Sequence, residues 1–215
     1  MKLYKSVKKE ADVEQIIEKS RFIAHVKPVE TREEADAFID TVKSRFKDAT
    51  HNVPAMVLGD KFQVQWASDD GEPQGTSGAP IVQMMVKEGI TNAVVVVTRY
   101  FGGIKLGTGG LVRAYTSSAK LGIEAAQVCG VFEICMLKIK TDYTFLSKLQ
   151  NLASETFDEN GPEYEFIIDE IQYTDKVTMD LFTTPEKKDK VIELLANTTS
   201  GTAEIIEEKT LLKKI

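Results

Sequence analysis

An unbroken apolar run, Ala93-Val94-Val95-Val96-Val97, constrains this chain more than any other stretch. Four consecutive valines after Ala93, with no polar alternation, are the pattern of a strand covered on both faces. The fold must therefore place a layer on each side of it. Two loops dense in glycine flank the run. The first reads WASDDGEPQGTSG from Trp66 to Gly78, and the second reads RYFGGIKLGTGG from Arg99 to Gly110. Glycine at that density marks left-handed backbone or close approach of one chain segment to another. Asp69, Asp70 and Glu72 in one loop, with Arg99 and Lys105 in the other, predict a polar cleft at element ends, where scaffolded sites collect. His51, at the start of a predicted strand, is expected close by.

Periodicity supplies the rest of the first half. Asp12 to Ile17 and Arg21 to Val29 read as a hairpin turning near Glu18-Lys19-Ser20. Thr31 with Glu34 three residues later forms a capping box, and Ala35, Phe38, Ile39, Val42 and Phe46 give a helical stripe. Val53 to Leu58 and Phe62 to Trp66 are strands joined at Gly59-Asp60. A helix over about Ala79 to Lys87 has Pro80 in its first turn and Gly89 as its left-handed stop. Beyond the second glycine loop, Leu111, Ala114, Tyr115, Ser118 and Leu121 predict a helix from about Gly109 to about Ala126.

The second half changes character at Gly130. Val131 to Lys140 is a predicted strand, Tyr143 to Ala153 a helix, and Tyr164 to Ile171 and Thr174 to Phe182 are strands. Pro185 to Ala196 is a helix and Ala203 to Leu212 a last strand. The succession βαββαβ is the ferredoxin-like pattern. The expected fold is α+β in two domains. Residues 1–130 form an α/β sandwich of βββαβα type, and residues 131–215 a ferredoxin-like domain.

Composition narrows the function. No run of 18 apolar residues exists and Met1 to Ser20 is charged, so a cytoplasmic protein with no membrane partner is expected. Residues 1–130 carry 17 basic and 16 acidic side chains, whereas residues 131–215 carry 10 and 17. Phosphate contacts need clustered cations, so RNA contact is expected from a local patch on the first half. Cys129 and Cys135 are spaced as neither a zinc knuckle nor a redox pair, and read as buried thiols.

The second loop is neither a Walker motif nor a dinucleotide fingerprint, since Val112 stands where the third glycine belongs. What remains is a turn, Gly107 to Gly110, feeding a helix N-terminus whose N–H groups attract anions. The plain alternative is that these glycines only let the strand turn tightly. Asp69, Asp70 and Glu72 match no EF-hand. They are suited either to Mg²⁺ with substrate phosphates or to capping Thr76 and Ser77 and pairing with Arg99 and Lys105. No metal or other cofactor is assigned. His51 lacks partners for a nucleophilic triad, and His25 receives no role. Tyr100 and Phe101 stand either as base-stacking groups or as core. The candidate binding residues are His51, Asp69, Asp70, Glu72, Arg99, Tyr100, Lys105, Gly107 and Gly109.

Three segments carry a family resemblance: Lys19 to Ala24 (KSRFIA), Asp69 to Pro80 (DDGEPQGTSGAP) and Arg99 to Gly107 (RYFGGIKLG). Through them the chain resembles the IMPACT family over nearly its whole length, and more narrowly its bacterial YigZ-type members. The resemblance implies a first domain related to ribosomal and elongation-factor domains. It implies a second domain similar to the last domain of elongation factor G. It also implies a link to translational control, with RNA, the ribosome or a protein partner in that process as the expected contact. Eukaryotic relatives act on a stress-kinase pathway through an extra N-terminal domain, which is not expected here. Two rival readings stand beside it. One is an enzyme using the acidic loop, His51 and the glycine turn on a phosphorylated or nucleotide substrate. The other is an interaction module whose acidic second domain binds a basic partner.

Overall fold

The computed structural model describes residues 2–158, 161–162 and 165–214. The chain divides into two compact units, Tyr4–Cys129 and Met1–Leu3 with Gly130–Ile215, each with its own antiparallel sheet.

After β1 (Lys2–Val7), which the sequence patterns above do not anticipate, the first unit runs β2 (Ala11–Ile17), β3 (Ser20–Pro28), α1 (Arg32–Arg45), β4 (His51–Leu58) and β5 (Val64–Ala67). It continues through α2 (Gly78–Glu88), β6 (Ala93–Tyr100) and α3 (Gly107–Ala125). The succession ββαββαβα is longer than βββαβα, because α1 separates the first hairpin from the second. The sheet order is β2-β3-β6-β4-β5, and each of these pairings is antiparallel.

Local chemistry accounts for these elements. The β2–β3 hairpin closes in two residues, Glu18 and Lys19, at φ 44° and 63°, as a primed turn requires. Thr31 Oγ1 accepts from the Glu34 N–H at 3.2 Å, starting α1. The Glu34 carboxylate reaches back to the Glu30 N–H at 2.8 Å, one residue beyond the usual capping-box target.

The central strand β6 is buried on both faces, as its valines demand. Val94 and Val96 pack with Ala35, Phe38, Ile39 and Val42 of α1, while Val95 and Val97 pack with residues of α2 and α3 such as Ile81, Met85 and Tyr115. Each buried valine contributes about 1.5–3 kcal/mol relative to an exposed one. α3 comes unusually near the sheet at Gly122, where a Cβ would lie 2.8 Å from both Ala24 Cβ and Val26 Cγ2.

In the second unit β7 (Val128–Thr141) leads to α4 (Tyr143–Leu152). A short ladder of β8 (Phe157–Asp158) and β9 (Gly161–Pro162) follows, then β10 (Ile167–Tyr173) and β11 (Val177–Thr183). A 3₁₀ turn at Pro185–Lys187 precedes α5 (Lys188–Thr199) and β12 (Glu204–Lys214). β12 and β11 flank β7, with β10 beyond β11, and β1 also pairs with β7. Alternation on β11 sends Val177, Met179 and Leu181 into a core with Leu149, Val191 and Leu195. β7 begins three residues before the expected Val131 and runs through Gly130 unbroken, so the change of residue pattern there marks no break in secondary structure. The strand expected from Tyr164 begins at Ile167; Tyr164 itself lies outside the described residues. Among the described residues no helix is long and apolar enough to cross a membrane. Cys129 and Cys135 are both buried.

His25, on β3, is buried against the Phe46 ring. Its Nδ1 lies 2.7 Å from Asp12 Oδ1, and its Nε2 has no partner among the described residues. Burial pushes its pKa below the ordinary 6.5, outweighing the Asp12 bond that acts the other way. Below that value the unfolded chain binds the proton more readily than the folded one, so stability falls as pH drops through the window beneath 6.5. The melting temperature of wild type minus that of His25→Gln should therefore decline between about pH 6.5 and 5. A difference independent of pH would remove this account.

Candidate functional site

The acidic loop between β5 and α2 uses its three carboxylates in three different ways. Asp69 organises the loop. Its carboxylate accepts from the N–H groups of Gly75 (2.7 Å), Ser77 (3.2 Å) and Gly78 (2.9 Å) and from the Ser77 hydroxyl (2.6 Å). The Ser77 side chain makes no capping bond of its own, so Asp69 satisfies the first amides of α2 from outside the helix. Burial pulls its pKa upward, but these hydrogen bonds outweigh it and hold the carboxyl below the usual range. Asp70, at φ 49°, bridges Lys43 Nζ (2.7 Å) and the Asn52 N–H (2.7 Å), while its carbonyl accepts from His51 Nδ1 at 2.8 Å.

Glu72 points inward. Its side chain is 4% exposed, and Oε1 accepts from Arg99 Nη1 at 2.6 Å and from the Tyr115 hydroxyl at 2.7 Å. His51 Nε2 stands 3.8 Å from the same oxygen. Arg99, 6% exposed, has its guanidinium 5.4 Å from the ring centres of both Phe22 and Phe101 and reaches Ser20 Oγ at 3.3 Å. Burial, reinforced by the Glu72 carboxylate, pushes the Tyr115 phenol far above its ordinary range. Of the three carboxylates suited to pair with Arg99, Glu72 is the one that does. The φ > 0 turn at Asp70 and Gly71 decides which carboxylate faces the sheet.

A cleft of about 450 Å³ opens above this pair. It is lined by Thr50, His51, Glu72 and Pro73, by Arg99, Phe101 and Lys105, and by the start of α3, Leu106 to Thr108 with Leu111. The N-cap position of α3 is Leu106, whose side chain offers no capping oxygen, and the first turn is Gly107, Thr108, Gly109, Gly110. Its leading amides therefore lack a side-chain cap. The helix starts two residues earlier than the expected Gly109. A Cβ at Gly109 would meet only Arg113 Nη1, at an ordinary 3.7 Å. Lys105 and Arg113 make no ion pair or side-chain hydrogen bond among the described residues, and both line a neighbouring hollow of about 470 Å³ with Gly110 and Ser117.

The structure thus gathers His51, Glu72, Arg99, Lys105 and Gly107 around one cleft. Asp70 supports it through His51, and Asp69 and Gly109 stand apart from its lining. Tyr100 is elsewhere: its hydroxyl bonds Asp48 at 3.0 Å and Arg21 stacks on its ring, because successive strand residues face opposite sides. Among the described residues no group of three or more His, Cys, Asp or Glu is placed to hold a metal ion. Tyr115 and Arg113 were missed by sequence reasoning. Tyr115 carries a usable signal, since a hydroxyl on the buried stripe of α3 needs a partner inside. Gly102 also gains a reason. A Cβ there would fall 2.0 Å from the Lys19 carbonyl oxygen, so the β2–β3 turn lies directly against the second glycine loop.

Removing one member of a buried pair strands the other. Arg99→Met should lower the unfolding free energy by about 3–5 kcal/mol, and adding Glu72→Gln should recover part of it. An equal loss in the single and double variants, read from urea midpoints, would contradict the pairing account. Asp69→Ala should cost about 1–3 kcal/mol through the four donors it releases. Retention of full stability in that variant would show the loop to be held otherwise.

Comparison with known proteins places the chain in a family. The Impact N-terminal domain matches residues 18–123, and a domain of unknown function, DUF1949, matches residues 139–202. The IMPACT family member YvyE of Bacillus subtilis (strain 168) is 39% identical over 215 residues, spanning 98% of this chain and 94% of that one. The IMPACT family member YigZ of Escherichia coli (strain K12) is 46% identical over 101 residues, 46% of this chain and 50% of its own. A crystal structure described only as that of a hypothetical protein superposes with a TM-score of 0.58 at 28% identity, over 100% of this chain and 98% of that one. The chain belongs to the IMPACT family, as a bacterial YvyE/YigZ-type protein that carries an Impact N-terminal domain followed by a DUF1949 domain.

Proposed function

We propose that this protein is a translation-associated regulatory protein of the cytoplasm, non-enzymatic, whose first unit contacts RNA, alone or on the ribosome, through phosphate groups at the start of α3. One observation carries the reading: Lys105 and Arg113 stand beside an α3 N-terminus that no side chain caps, and neither spends its charge on a partner among the described residues. Backbone amides and the helix dipole add to two mobile cations, the combination that draws phosphate. Arg99 has no part in that attraction, because Glu72 neutralises it.

The kinds of fold support the same direction. The first unit's sheet, covered by helices on both faces, is in keeping with ribosomal and elongation-factor sandwiches. The order β12-β7-β11-β10 in the second unit is in keeping with a ferredoxin-like domain such as the last one of elongation factor G. We take residues 1–130 and 131–215 as the two domains that carry these roles.

Titrating single-stranded RNA against salt tests the reading. Wild type should bind with a negative log–log slope, and Lys105→Ala and Arg113→Ala should each make that slope shallower by about 0.7. Absence of binding, or a slope that neither variant changes, would overturn it.

A further inference from the structure

The cleft beside the phosphate position carries more equipment than a backbone contact uses. At its floor the Nε–H of Arg99 is buried and has no acceptor among the described residues, although Arg99 lines the cleft and is more than nine-tenths buried. A buried donor left unanswered is costly, and an acceptor brought by a ligand would remove that cost. Beside it lie two acceptors. His51 Nδ1 donates to the Asp70 carbonyl, which fixes the proton there and turns Nε2 toward Glu72. Glu72 Oε1 is taken by Arg99 and Tyr115, whereas Oε2 accepts no hydrogen bond from the described residues.

The cleft is also lined by the uncapped start of α3 with Lys105, an anion position. The third element is Phe101, 46% exposed and held against the Arg99 guanidinium. The cleft's 450 Å³ falls within the usual range for small-ligand sites. Its parts ask for one molecule with a phosphate, hydroxyl or amino donors, and a flat ring system.

We propose that this cleft binds a single nucleoside 5′-monophosphate group, either as the free mononucleotide or as the 5′-phosphorylated end of an RNA. The inference rests on the reading of the α3 N-terminus as a phosphate site and adds the recognition of the nucleoside. The phosphate takes the Gly107 and Thr108 amides and Lys105, the base lies on Phe101, and the donors of sugar or base meet Glu72 Oε2 and His51 Nε2. An acceptor of the same ligand answers Arg99 Nε. Glu72 does not repel the phosphate, because Arg99 balances its charge.

Calorimetric titration of the full chain with AMP, UMP, adenosine and inorganic phosphate tests this. AMP or UMP should bind at least tenfold tighter than either inorganic phosphate or adenosine. Phe101→Ala should weaken the mononucleotide about tenfold and leave inorganic phosphate unchanged, since stacking on an aromatic side chain is what it removes. Lys105→Ala should weaken both, and being exposed it gives a second reading if Phe101→Ala folds poorly. A mononucleotide that binds no tighter than inorganic phosphate, or that is indifferent to both substitutions, would overturn the proposal.

Two further arms separate the sources and the underlying reading. Preference for a 5′-phosphorylated over a 5′-hydroxyl RNA, abolished by competing AMP or UMP, assigns the RNA end; mononucleotide binding without that preference assigns the free nucleotide. RNA binding with the salt slopes expected above but no mononucleotide binding sinks the nucleoside pocket and leaves the phosphate reading standing. Failure of both sinks both.

Discussion

The buried ion pair of Arg99 and Glu72 is the constraint on which the first unit depends. Two opposite charges inside a protein are tolerable only when each is well paired and hydrogen-bonded. Here the pair draws in Ser20 at the start of β3, Tyr115 from α3 and His51 from β4. The first loop supplies the acid and β6 the base. Five separate pieces of chain must therefore arrive together before either charge can leave water, and the cleft is the opening left above their meeting point. The site is not an ornament on a finished fold; it shares its floor with a buried ion pair.

That sharing sorts the polar residues around the cleft into two groups. Asp69, Asp70 and Tyr115 have their charge or hydroxyl satisfied within the protein and Arg99 has its charge balanced by Glu72, so these residues hold the scaffold. Lys105, Arg113, Thr108 and the first amides of α3 have no such obligations and face outward. On the proposed reading, a division of this kind lets the surface attract anions while its scaffold keeps its own pairings. It also explains why the glycine loops are long: one must bring an acid beneath the sheet end while the other begins a helix with no side-chain cap.

Much of the fold was legible because its local signals agree with one another. Thr31, Glu34 and the Ala35–Phe38–Ile39–Val42 stripe all describe the same helix, and the valine run describes a strand covered twice. The site was legible only in outline. Asp69, Asp70 and Glu72 are equivalent as letters; backbone conformation at Asp70 and Gly71 is what turns one inward and leaves the others to the loop. Tyr100 follows Arg99 in sequence, but strand alternation sends the two side chains to opposite faces. Arg113 was not foreseeable from composition, since its placement depends on where α3 begins. β1 and the early start of β7 were hidden for a related reason. Their edges are set by pairing partners far away in sequence, and no local pattern marks them.

The valines of β6 have one further consequence. Because Val94 to Val97 are identical and both faces are buried, sliding this strand by one residue against β3 and β4 would keep valine at three of these four core positions. The hydrophobic interior is thus nearly degenerate with respect to alignment. The degeneracy is lifted at the strand's polar end: Thr98 Oγ1 donates to Asn52 Oδ1 at 2.7 Å, the Thr50 N–H reaches the Arg99 carbonyl at 2.9 Å, and Arg99 finds Glu72. Any slipped alignment leaves an arginine buried without its acid. The groups that form the floor of the cleft therefore also serve as a proofreading mark for the sheet.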